Sequence, residues 1–356
     1  MNAFSHVPHT LAAVTAMLLK NGHQFEAVSS GDGALLLLPK FGRVLGLWSD
    51  TNSGCHFWIN PQLLMSDATE FFSDDAHWAN PGGHRIWIAP ERELFIKDLS
   101  RPEQTYFVPA CIDPGCYSYK KNAFDACLEN RGHAYAHASN IDIPFKLSRR
   151  IRALENEEIQ SFAAGVPLQG AGYEEHTVLE LDECCPIRAG VWSLAQVEPG
   201  GIVLVPLRSD TRYTVFFGRP DDAVLCEGRL LKVHFQKQQK KENIFFKVGL
   251  KASWTSNTIV YFKDNKEGLA SVTVKVFEIA DDTHYVDTPW QLPEDYGYAV
   301  QFFYGTQYGF GELETHAPVV KGSRGQWQSV SRSSVYAFCG CSELCNNLIT
   351  KILQKS

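Results

Sequence analysis

From residue 25 onward the chain breaks into short runs rich in Val, Ile, Phe, Tyr and Trp, each bounded by Gly, Pro, Asn or Asp. That is the signature of strands on a pleated, half-buried surface. The clearest runs cover 34–38, 43–47, 84–89, 177–181, 202–207, 213–217, 230–235, 244–251, 258–263, 271–277 and 298–304. Helical periodicity is confined to three places. Residues 10–20 read as a short amphipathic helix with Thr10 as N-cap and Gly22 as the stop, and 156–162 as a brief turn of helix. In 342–354, Leu344, Leu348, Ile349, Ile352 and Leu353 fall on one face behind Ser342. Strands without alternating helices pack as sandwiches or barrels, and no repeat suggests a propeller or solenoid. The expectation is an all-β chain of mainly antiparallel strands. It forms one domain over 1–356: a β core at 25–320, flanked by helical segments at 1–24 and 321–356.

Composition narrows the function. With 44% hydrophobic residues among 356, the chain can bury a large core, which excludes a disordered protein. A net charge of −7 argues against nucleic acid, whose phosphates need a basic face. No apolar run approaches the ~18–20 residues of a membrane span. Leu11–Leu19 has the length of a signal-peptide core, but no Lys or Arg precedes it and no small-residue cleavage site follows. A helix fits better, and the localisation expected is cytoplasmic.

Ten cysteines without a signal read mostly as reduced core thiols. Cys339, Cys341 and Cys345 lie close together but lack a paired CxxC knuckle, and His77, His133, His137, His234 and His284 are read as no ligand set. No metal and no cofactor are expected. The charged run 237–242 reads as a solvated hairpin loop. Phosphate-loop, dinucleotide and serine-hydrolase motifs are missing from the sequence.

Three segments put polar groups among aromatic ones on expected strands: 78–91, 191–201 and 300–318. Aromatic faces beside Arg, His, Gln and carboxylates suit sugars, because rings stack on C–H faces and planar polar groups fork onto hydroxyl pairs. The alternative is that the rings are core and the polar groups rim. Alternation places Arg85 with Trp87, and Glu312 with Glu314 and His316, on shared faces. Arg85 is then a ligand clamp or a buried ion-pair partner, Trp87 a stacking platform or core, and His84 a catalyst or an ordinary loop histidine. Arg43, Arg85 and Lys247 each interrupt an apolar strand, so each must face solvent, a carboxylate or a ligand.

The ordered motifs FGRVLGLWSDTNSGCHFWIN (41–60), GGHRIWIAPE (82–91), WSLAQVEPGGIVLVPL (192–207) and GELETHAPVV (311–320) resemble the galactose mutarotase-like superfamily, closest to a functionally uncharacterised branch. The segment VQFFYG…GELETHAP looks like the mutarotase ending, in which an LQFYTG-like strand precedes an LETQ-type motif. The resemblance spans roughly residues 25–320 and implies a β-supersandwich with a concave sugar-binding sheet. It also implies aldose 1-epimerase activity, in which a base takes the anomeric proton and an acid protonates the ring oxygen.

The family's Glu matches Glu314. Its acid, a His in a TNHSYFN-like strand, has no match in 190–197, where Trp192 occupies the neighbourhood. Replacement acids are His84, His316 or His176, with His84 favoured because it adjoins Arg85 and can titrate near neutrality. The expected substrate-binding set is Arg85, Trp87, Glu91, Trp192, Gln196, His316, Arg43 and Lys247, for a small sugar or sugar acid, in a monomer or weak homo-oligomer. The competing readings are a binding or sensing protein, and a lyase or hydrolase using Glu91 with Glu314.

Overall fold

A computed structural model describes residues 9–65, 78–122, 125–208, 213–236, 243–265 and 267–355. The expected charged hairpin loop at 237–242 and His77 lie outside them. Two large antiparallel sheets make up the molecule. The first has nine strands in the order Glu26–Ser30, Gly33–Leu38, Arg43–Trp48, His84–Ala89, Gly190–Val197, Phe310–His316, Tyr298–Gly305, Phe245–Lys251 and Thr214–Gly218. The second, of eleven strands, is centred on Leu269–Phe277, Trp327–Cys341, Gln169–Leu181 and Ile141–Ala153. Period-two alternation sends Leu35, Leu37, Val44, Phe246, Val248 and Leu250 of the first sheet against Val203, Val205, Val233 and Ile259 of the second. The all-β expectation holds.

The terminal helices cover the outsides of the sheets. Leu11–Lys20 starts at Thr10, whose side chain accepts from Ala13 N, and buries Val14 and Leu18 against Leu36, Leu45 and Trp48. Ser342–Lys355 buries Leu348, Ile349 and Ile352 against Val272, Val274 and Phe338. Segment 321–356 is not helical throughout, contrary to expectation. Its residues Trp327–Cys341 form a fifteen-residue strand paired on both sides. The inward positions there include Ser329, Ser331 and Ser333, all buried, so small polar residues stand where the eye looks for apolar ones. No helix among the described residues is long and apolar enough to cross a membrane.

Candidate active site

The first sheet carries a cleft of about 680 Å³ on the face turned away from the second sheet. Cross-strand register builds its floor in rows. One row runs Phe217, Lys247, Phe303, Glu312, Gln196, and the next runs Gly249, Gln301, Glu314, Leu194, Arg85. A third joins His316, Trp192 and Trp87. Arg85, Trp87, Glu91, Trp192, Lys247 and Glu314 of the expected set all line the cleft.

Two glycines make the entry to the Arg85 strand possible. Gly82 and Gly83 take φ values of 96° and 79°, and a Cβ on them would meet Trp58 O at 2.3 Å and Val44 O at 2.4 Å. Only glycine fits such a turn.

The ionisable groups form two linked clusters. Arg85 Nη2 donates to Glu312 Oε1 at 2.7 Å, and the guanidinium lies 4.1 Å from the Trp87 ring. Gln196 Nε2 donates to the same Glu312 oxygen at 2.9 Å. In the second cluster Lys247 Nζ sits 3.2 Å from Glu91 Oε2 and 3.2 Å from Glu314 Oε2, over the Trp192 ring at 4.3 Å. The Trp192 indole donates to Glu314 at 2.7 Å, and Trp290 and Tyr106 donate to Glu91 at 3.1 and 3.3 Å. Glu91 sits on a helical turn, Glu91–Leu94, and its backbone N–H is anchored by Asp287.

Burial pushes the Glu314 carboxyl up to about 8, with Glu312 and Glu91 adding repulsion that Lys247 only partly offsets. Burial likewise raises Glu91, and Asp287 adds to the shift against the pull of Lys247. Two carboxyls that both resist ionisation around one ammonium are an acid–base pair in waiting. Among the described residues Arg85 Nε and Nη1, Trp78 Nε1 and Glu314 Oε1 are buried without a hydrogen-bond partner, and all three residues line the cleft. Such open valences are costly unless a ligand fills them.

Five expected residues do not line the cleft. His84 neighbours Arg85 on a strand, so alternation turns it to the opposite face. There, wholly buried, it shares hydrogen bonds with Tyr173 OH and Ser193 Oγ and does not reach the cleft. His316 shares the cleft face but is covered by the Trp192 ring, 5.5 Å between centroids, with Nε2 3.9 Å from Asp287. Gln196 is wholly buried beside Glu312 on the neighbouring strand. Arg43 pairs with Asp113 at 2.6 Å and holds Asn80 Oδ1 and Gly82 O; because Asp113 also accepts from the Trp87 indole, Arg43 steadies the cleft wall from behind. His176 is on the second sheet.

Sequence reasoning missed Trp290 and Tyr106, which lie on loops where no period marks them. It noticed Glu312 by alternation without counting it as a binder. Cys339 donates to Asp50 at 3.2 Å and Cys345 is buried under Ala270 O, both away from the cleft.

A family model described as a family of unknown function (DUF6786) matches residues 12–356. The chain belongs to that family. No curated protein matches. Among solved structures the chain is similar to a putative aldose 1-epimerase from Escherichia coli K12, at 9% identity over 90% of this chain and 100% of that one, with a TM-score of 0.44. It is also similar to a galactose mutarotase-like protein from Lactobacillus casei ATCC 334, at 8% identity over 89% and 100%, with a TM-score of 0.48. Likeness at that level says nothing about the reaction of this family member, which must be read from its cleft.

Proposed function

We propose that the cleft binds a neutral aldose and interconverts its anomers. The observation that carries this reading is the pair of raised carboxyls, Glu314 and Glu91, held on the single ammonium of Lys247 beside open hydrogen-bonding valences. Glu314 takes the proton of the anomeric hydroxyl while Glu91 gives one to the ring oxygen. The bond between C1 and the ring oxygen breaks, the open-chain aldehyde turns about C1–C2, and closure on the other face returns both protons. Glu91 takes the acid role for which the sequence nominated His84. Lys247 holds the two carboxyls in place; Arg85 offers its free N–H groups to ring hydroxyls, while Trp87 and Trp192, whose faces are taken by Arg85 and by Lys247 and His316, keep the two cations in position.

The charge balance favours a neutral sugar over a sugar acid. With Glu91 carrying the proton it delivers, Arg85 and Lys247 are balanced by Glu312 and Glu314, so no cation is left over for a ligand anion. The test is anomer exchange followed by magnetisation-transfer NMR on a panel of aldoses and uronates. The reading expects exchange above the spontaneous rate for at least one neutral aldose, and its loss in Glu314→Gln. Sugar binding by calorimetry with no exchange leaves a binding protein; binding of uronates alone overturns the neutral preference.

A further inference from the structure

We propose that the cleft is a two-part site whose second part receives an aromatic or aliphatic group borne on the C6 side of the sugar, so that the substrate is an aldose with an apolar substituent. The inference rests on the roles given above to Glu314 and Glu91. Beyond the carboxyls the floor changes character. Phe217 and Phe303 flank Lys247 in its row, and the adjoining row runs Phe245, Gly305, Phe310. A register shift between Val215 and Phe217 turns Phe217 into this wall. Gly305 leaves room for Tyr308 to fold over it, since a Cβ there would meet the Tyr308 ring at 2.6 Å.

The rings form a continuous surface. Trp290 stacks on Phe217 at 4.6 Å, Phe217 on Phe245 at 5.2 Å, and Phe303 meets Phe245 and Tyr308 at 5.8 Å each. Phe217, Phe245, Trp290 and Phe303 are only partly buried, and Tyr308 is 52% exposed. Half-covered rings walling one end of a cleft that already holds a polar recognition set mark a ligand groove. The volume of about 680 Å³ is in the range of a drug-sized ligand and exceeds what one hexose ring fills.

Chemistry and position identify the occupant. Phe217, Phe245, Phe303 and Phe310 offer no donor or acceptor, with Gln307 and the Tyr308 hydroxyl as polar groups beside them. A second sugar ring could stack there but would find few partners for its hydroxyls, whereas an apolar group needs none. The wall begins at Trp290, whose indole is bonded to Glu91 Oε2. With Glu91 at the ring oxygen and Glu314 at the anomeric hydroxyl, the wall lies past the ring oxygen on the side away from C1. In a pyranose that side carries C5 and C6.

The test compares 6-O-benzyl and 6-O-methyl derivatives of galactose and of glucose, with anomer exchange read by NMR and binding by calorimetry. The benzyl sugar should show a kcat/KM roughly tenfold or more above its methyl partner. Phe303→Ala and, independently, Tyr308→Ala should bring that ratio towards one. Equal kcat/KM for the two sugars overturns the apolar subsite and leaves the anomerase reading standing. If the protein exchanges neither these sugars nor any neutral aldose of the panel, the anomerase reading fails. Calorimetry then decides the subsite alone: tighter binding of the benzyl sugar, lost in Tyr308→Ala, retains it, and equal or undetectable binding of the pair overturns it.

Discussion

The two faces of the His84–Ala89 strand carry two clusters of buried ionisable groups that differ in one respect. On the inner face His84 shares hydrogen bonds with Tyr173 and Ser193, Lys275 donates to Ser193 at 2.7 Å, and Arg149 pairs with Glu175 while holding Gly42 O and His84 O. On the outer face Arg85, Lys247, Glu91, Glu312 and Glu314 are equally displaced from water but leave polar atoms open towards a cleft. Both clusters shift titrations strongly. Burial, with Lys275 and Arg149 nearby, drives His84 far below its ordinary value, and burial pulls Lys275 down to about 7. Perturbed titration therefore does not separate a site from a scaffold in this molecule. Unfilled valence beside open volume does.

The sharpest break of the comparison is Arg149→Met. It strands the Glu175 carboxylate between the sheets, and removing one partner of a buried pair costs about 3–5 kcal/mol. Urea unfolding should show that loss; a change below about 1 kcal/mol would mean that the inner cluster is not structural. On the outer face Glu314→Gln should leave stability at neutral pH nearly unchanged and lower anomer exchange by roughly 10²–10⁴-fold, the range of a general base.

The pH profile sharpens that second prediction. Because the Glu314 pKa is raised to about 8 in the folded protein, its base form grows in as pH rises through that value. Exchange by the native chain should climb through about pH 8, and the residual rate of the Gln variant should be flat there. The same shift means that the folded state binds the extra proton. Stability contributed by protonated Glu314 should decline as pH rises from the ordinary carboxyl value through about 8, and the Gln variant should lack that decline.

The fold was legible wherever inward positions are apolar, as in 244–251, and illegible where they are not. Trp327–Cys341 hides its alternation behind Ser329, Ser331 and Ser333, and Ile141–Ala153 hides its own behind Arg149, buried for its pairing with Glu175. The floor of the candidate site was legible by the same alternation: Arg85 with Trp87, Glu312 with Glu314, and Lys247 as a cation in an apolar strand. His84 was misplaced because closeness in sequence to Arg85 was weighed above the alternation that separates them. The walls lay beyond reach, since Trp290, Tyr106 and Tyr308 come from loops whose positions follow only from the packed sheets.

Lys275 offers a smaller effect that sets the inner cluster apart by sign. Burial lowers its pKa to about 7, against the attraction of Glu175. Between about 7 and the ordinary lysine value the unfolded chain therefore binds more protons than the folded one, and stability rises with pH across that window. Lys275→Met should flatten this rise and be neutral or stabilising near pH 7, because a buried charge is replaced by an apolar side chain of similar length. A large loss of stability in this variant would show that the ammonium is needed to hold Ser193 and His84.

The smallest chemical change, Tyr173→Phe, decides whether the inner cluster takes any part in the chemistry. The ring stays packed in the core and only the hydroxyl shared with His84 Nδ1 goes, leaving that nitrogen facing Arg149 Nη2 at 3.3 Å. Loss of one buried hydrogen bond of this kind costs about 1–3 kcal/mol, which a denaturant midpoint resolves. If His84 serves only to join the sheets, kcat and its pH profile should match the native protein, since no atom of the cleft has moved or changed charge. If instead kcat falls or its pH midpoint shifts while stability hardly changes, then His84 acts on the cleft through Ser193 and the strand that carries Trp192. The two faces would then form one functional unit, with no boundary between scaffold and site.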